Sequence, residues 1–127
     1  MKTNVLVVDG DAGVRESLGR VLSQAGYDVL AVAHGRDAAE LLDPEHTHLV
    51  ILDLDLPFQH ALAAFGPLAS LNAGVPILII TDQPDACPGS LMADVAALIE
   101  KPVDVDLLLR TIEELLAEPK PLHLHPA

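Results

Sequence analysis

Short runs of branched aliphatic residues punctuate this chain, and between them the apolar positions change to a spacing of three or four. Val5-Leu6-Val7-Val8, Tyr27 to Val32, Val50-Ile51-Leu52, Pro76 to Ile80 and Ala96 to Glu100 are too short for helices, and they read as strands. The first spacer carries Val14, Leu18, Val21 and Leu22 at helical intervals, with Asp11 placed to cap its start and Gly26 to end it. Gly35 to Leu42 predicts a short helix resting on Ala38, Leu41 and Leu42, closed by Asp43-Pro44. Gln59 to Leu71 predicts a weaker helix, kinked or started late by Gly66-Pro67. Gln83 to Gly89 reads as a loop, and Ser90 to Val95 as a turn or two of helix. Asp104 caps a last helix with Leu108, Ile112 and Leu115 on one face.

Strand and helix alternate throughout, which predicts an α/β fold with a parallel sheet, helices on both faces and right-handed crossovers. No internal repeat appears. One domain over residues 1–117 is expected, followed by an extended tail, residues 118–127, that holds Pro119, Pro121 and Pro126.

Composition narrows the partners more than the fold. Half of the 127 residues are hydrophobic and only 2% aromatic, which suits a layered aliphatic core and argues against disorder. Seven basic residues face nineteen acidic ones, for a net charge of −12. That charge repels phosphate backbones and anionic lipid, so neither nucleic acid nor membrane is expected as a direct partner. Met1-Lys2-Thr3 leads straight into a strand, and no apolar run approaches the roughly 18 residues of a membrane span. A soluble, cytoplasmic protein is expected. The single cysteine, Cys87, cannot form an internal disulfide.

The candidate chemistry lies where the strands end. Asp9, Asp53, Thr81 and Lys101 each follow an apolar run, and a parallel sheet brings such tips to one edge, where open α/β sheets bind their ligands. Each residue alone has an ordinary explanation as a loop starter. Together they supply a carboxylate nucleophile, a second carboxylate, a hydroxyl and an ammonium, the set needed to move a phosphoryl group onto an aspartate. Asp53 would attack phosphorus. Mg2+ held by Asp9, Asp53 and a backbone carbonyl would neutralise the phosphoryl oxygens, aided by Lys101, with Thr81 donating a hydrogen bond.

VLVVDGD, VILDLDLP, PILIITD and LIEKP, in this order, resemble the receiver domain of bacterial two-component response regulators over about residues 3–117. The resemblance implies a CheY-like, flavodoxin-like doubly wound sheet of five strands in the order 2-1-3-4-5. It also implies Asp53 as phospho-acceptor, Thr81 as switch hydroxyl, Lys101 as the pocket lysine with a cis bond to Pro102, and Asp55 as the source of the metal-binding carbonyl.

Three positions depart from that family. Gly10 stands where a second acid usually ligates Mg2+, so the ion should be bound more weakly, or not at all. Asp11 is a candidate replacement ligand, and more simply the helix cap. Asp82 follows the switch threonine where a small residue is usual; its carboxylate would repel a phosphoryl group, join the metal or pair with Lys101. Leu98 replaces the aromatic ring whose rotation reports phosphorylation. Arg15, on the first helix beside the site, is a candidate to balance the carboxylates, or an ordinary surface arginine.

Two readings follow. The first is a working response-regulator receiver, phosphorylated on Asp53 by a histidine kinase or phosphotransfer protein and acting on a downstream protein target. The second is a degenerate receiver, a phosphorylation-independent binding or dimerisation module. An enzyme on the same fold has little support, since no glycine-rich phosphate loop follows the first strand and no Ser-His-Asp or Cys-His arrangement is visible. Chain contacts are expected on the face of the fourth helix, fifth strand and last helix. Leu109 and Leu116 there would either widen a homodimer contact or complete the inward stripe.

Overall fold

In the computed structural model, residues 3–43, 45–54, 74–86 and 95–117 are described. Their strands are β1 (Asn4–Val8), β2 (Asp28–Val32), β3 (Leu49–Asp53), β4 (Ile77–Thr81) and β5 (Ala97–Glu100). All pair in parallel, in the order β2-β1-β3-β4-β5, as the motifs implied. The helices are α1 (Ala12–Gln24), α2 (Gly35–Leu41) and α3 (Val105–Ala117), with one 3-10 turn at Pro84–Ala86. The helices predicted over 59–71 and 90–95 and the tail 118–127 lie outside the described residues, apart from Val95, which is not helical.

Successive strand side chains point to opposite faces, so each aliphatic run feeds two cores at once. Leu6, Val8, Val50, Leu52, Ile77 and Ile79 pack on one face with Ala38 of α2 and Leu42, which caps that helix. Val5, Val7, Leu49, Ile51, Leu78 and Ile80 pack on the other, against Leu18 and Leu22 of α1 and Leu108 and Ile112 of α3. Double-sided burial explains why these strands lack a polar alternate.

The helix ends follow their sequence signals. Asp11 caps α1, its Oδ1 accepting the Val14 N–H at 3.1 Å. Gly26 ends that helix at φ 98°, a left-handed conformation that glycine adopts without penalty. Asp104 Oδ1 accepts the Leu107 N–H at 3.2 Å at the start of α3. Asp11→Ala is expected to lower stability by about 1 kcal/mol, measurable by urea denaturation, because one helix-end N–H loses its acceptor.

The structure corrects one helix-face expectation and decides a second between its two alternatives. Leu41 was expected beneath α2, yet it is 48% exposed. Ala38 and Leu42, four apart, take the inward face, and Leu41 lies to one side near edge strand β2, whose Leu30 is equally exposed. Leu109 and Leu116 are partly buried and packed on the core, completing the inward stripe of α3. The exposed large apolar residues of that helix are Val105 and Leu107. No described helix is long and apolar enough to cross a membrane.

Candidate functional site

Strand register brings the predicted residues together. Val8 pairs with Leu52, so Asp9 and Asp53 occupy the next position of adjacent strands. Asp53 pairs with Ile80, one residue before Thr81, and Thr81 pairs with Glu100, one residue before Lys101. The Lys101 N–H donates to the Thr81 carbonyl at 2.8 Å, and the Lys101-Pro102 bond is cis. Four strand tips thus meet at the carboxyl edge of the sheet, which is the ligand edge of open parallel sheets.

Asp53 is the centre of this edge. Its side chain is 1% exposed, and Lys101 Nζ approaches Oδ2 at 2.8 Å. Written as carboxylates, Asp53 Oδ1 and Asp9 Oδ2 are buried without a donor among the described residues. Burial, reinforced by the neighbouring Asp9, pushes the Asp53 carboxyl from its ordinary 3.8 up to about 8, against the opposing pull of Lys101. Two buried acids with unmet oxygens beside one ammonium form a pocket short of positive charge. Such a pocket suits a hard divalent cation, whose ligands are oxygens.

Thr81 is 3% exposed, and its Oγ1 accepts the Gln83 N–H at 3.1 Å. Accepting there leaves the hydroxyl proton as a donor. Asp11 is exposed on the helix end, with one carboxylate oxygen used as the cap. No group of three or more His, Cys, Asp or Glu side chains gathers among the described residues as a metal set. Asp82 is exposed, and Leu98 is partly buried against the core on the α2 side of the sheet. Gly10 is exposed and open: a Cβ built on it meets no atom within 4 Å. Asp55 lies outside the described residues.

One contact exceeds what the residue pattern offered. Arg15 was a candidate charge balance for the carboxylates, and its Nη1 in fact donates to the backbone carbonyl of Asp9 at 2.8 Å. Its position four residues past the cap is the only hint of this in the chain, and main-chain recognition leaves no mark in residue type.

The family model described as response regulator receiver domain matches residues 5–113. The response regulator MprA of Mycolicibacterium vanbaalenii is 34% identical over 123 residues, which are 95% of this chain and 53% of that protein. The transcriptional regulatory protein GlrR of Escherichia coli K12 is 31% identical over 121 residues, 93% of this chain and 27% of that protein. The chain therefore spans about half or less of the length of these relatives. Among solved structures, the response regulator TrrA of Thermotoga maritima, in complex with Mg(2+)-BeF, superposes with a TM-score of 0.78 at 25% identity, covering 91% of this chain and all of that one (100%).

Proposed function

This chain belongs to the response regulator receiver domains of two-component signalling, and from that premise we propose that Asp53 is its phospho-acceptor. The observation that carries the proposal is the Asp53 carboxylate, buried at the tip of a central strand between Lys101 and Asp9. Receiver domains interact with histidine kinases or phosphotransfer proteins. An ionised Asp53 oxygen attacks the phosphorus of a phosphohistidine donor; the O–P bond forms, the P–N bond breaks, and the leaving imidazole takes a proton. Lys101 compensates charge on the phosphoryl oxygens, and the Thr81 hydroxyl donates to one of them. Asp9 and Asp53 would hold Mg2+ through the oxygens now lacking donors, with the Asp55 carbonyl as the third protein ligand. The chemistry such an ion would supply is positive charge to offset that on the transferring group.

Gly10 makes that metal site one carboxylate poorer, and the reading here is a receiver with weakened Mg2+ affinity. A phosphorylation-independent module is not favoured by the relatives or by this pocket. We take residues 1–117 as the receiver unit. Its output would be a protein contact, with the first turn of α3, where Val105 and Leu107 are exposed, as a candidate part of a target or homodimer face.

Intact-mass spectrometry after incubation with acetyl phosphate and Mg2+ tests the reading. The wild-type chain is expected to gain one phosphoryl group, and Asp53→Ala none. An unmodified wild-type mass at saturating Mg2+ would overturn it.

A further inference from the structure

We infer that Arg15 is a positioning residue for the cation site, holding Asp9 so that Oδ2 alone is offered to a bound ion. The inference rests on the phosphoryl-transfer reading above for the identity of that ion. It stands on how the polar atoms of Asp9 are engaged. The Asp9 N–H donates to the Val32 carbonyl at 3.0 Å, which fixes the residue to β2. Oδ1 accepts the Asp11 N–H at 2.9 Å, and the Asp9 carbonyl accepts Arg15 Nη1 at 2.8 Å. With Asp53 ionised, as it is when a cation is bound, Oδ2 is left buried and without a donor among the described residues. Asp9 as a whole is 2% exposed, so its carboxylate has no solvent-facing alternative.

The identity of residue 10 makes the Arg15 contact consequential. The Asp9 carbonyl belongs to the peptide unit that joins Asp9 to Gly10, and glycine gives that unit wider rotation than any other residue. If it swung, the Asp11 N–H that holds Oδ1 would move with it. Arg15 sits on the first turns of α1, itself anchored by its N–H to the Asp11 carbonyl at 2.9 Å. From this fixed base its guanidinium holds the carbonyl of a peptide to which Gly10 gives more freedom than any other residue would. Outer-shell hydrogen bonds of this kind orient metal ligands, and their loss typically costs about 10–100-fold in metal affinity.

The sign of the effect separates positioning from charge. An arginine acting only as a nearby cation would repel Mg2+, so its removal would tighten binding. An arginine acting as a clamp gives the opposite result. Calorimetric titration of the folded protein with MgCl2 is expected to show Arg15→Ala raising the Kd by about tenfold or more, with Arg15→Lys recovering most of the loss. Hydrogen exchange of the Asp11 amide in EDTA supplies a metal-free readout. Protection is expected to fall in Arg15→Ala and to persist in Arg15→Lys. Unchanged or tighter Mg2+ binding in Arg15→Ala overturns the inference. Should the wild type bind no Mg2+, the metal reading fails separately, and unchanged Asp11 protection in Arg15→Ala then overturns the clamp itself.

Discussion

Asp53→Asn is expected to make the metal-free protein more stable than wild type at about pH 8, by on the order of 1–3 kcal/mol. Three effects compete at this side chain. Burial and the neighbouring Asp9 oppose its charge, while Lys101 at 2.8 Å favours it. The carboxyl is pushed up to about 8 from an ordinary 3.8, so the opposing effects win. A folded state that holds a proton more tightly than the unfolded chain contributes stability that is complete below about pH 4 and is lost as pH rises through about 8. Asparagine keeps the shape, needs no proton and removes that loss. The gap between variant and wild type should therefore widen from pH 4 to pH 8 in EDTA, as a shift of several degrees in Tm. Adding Mg2+ should narrow it, because a bound cation stabilises the ionised wild-type acid. A variant that is equal or less stable at pH 8 would mean that the Lys101 pair outweighs burial.

The same balance shows which parts of the molecule could be read in residue order. Val5 to Val8, Val50 to Leu52 and Ile77 to Ile80 were legible because strands buried on both faces have no polar alternate to confuse the pattern. Asp9, Asp53, Thr81 and Lys101 were legible because each interrupts such a run abruptly, and the register then carries them to one edge. Asp11 as a cap followed from its place one residue before the helix.

What was not legible depends on direction, not on residue type. Leu41 and Leu42 are the same residue side by side, yet Leu42, the residue that caps the seven-residue helix, is core, and Leu41, the last residue inside it, is 48% exposed. Leu109 and Leu116 are compatible by spacing with a dimer surface or with the inward stripe, and the packing of α3 on the sheet selects the stripe. Asp9 Oδ2 emerged as the unmet oxygen only once the partners of the other three polar atoms were known. The Arg15 contact goes to a main-chain carbonyl, which every residue has, so its target could not be inferred from side-chain chemistry.

Gly10→Asp is expected to tighten Mg2+ binding by about tenfold or more, since affinity for a hard cation rises with the number of charged oxygen ligands. The backbone accepts the change: a Cβ there meets nothing within 4 Å, the residue is exposed, and its φ is not left-handed. The substitution also replaces the most freely rotating residue of the loop, which lowers the entropy of the unfolded chain and steadies the peptide that Arg15 clamps. A cost accompanies it in the absence of metal, because a third acid joins a pocket whose carboxylates already lack donors. The two consequences have opposite signs, which makes the test sharp. In EDTA the variant should melt at or below the wild type, and in saturating Mg2+ above it. Calorimetry should assign the difference to affinity. Equal affinity in the two proteins would mean that an acid at this position does not reach the ion, and that the weakness of the site lies elsewhere, with the exposed Asp82 carboxylate the next to replace.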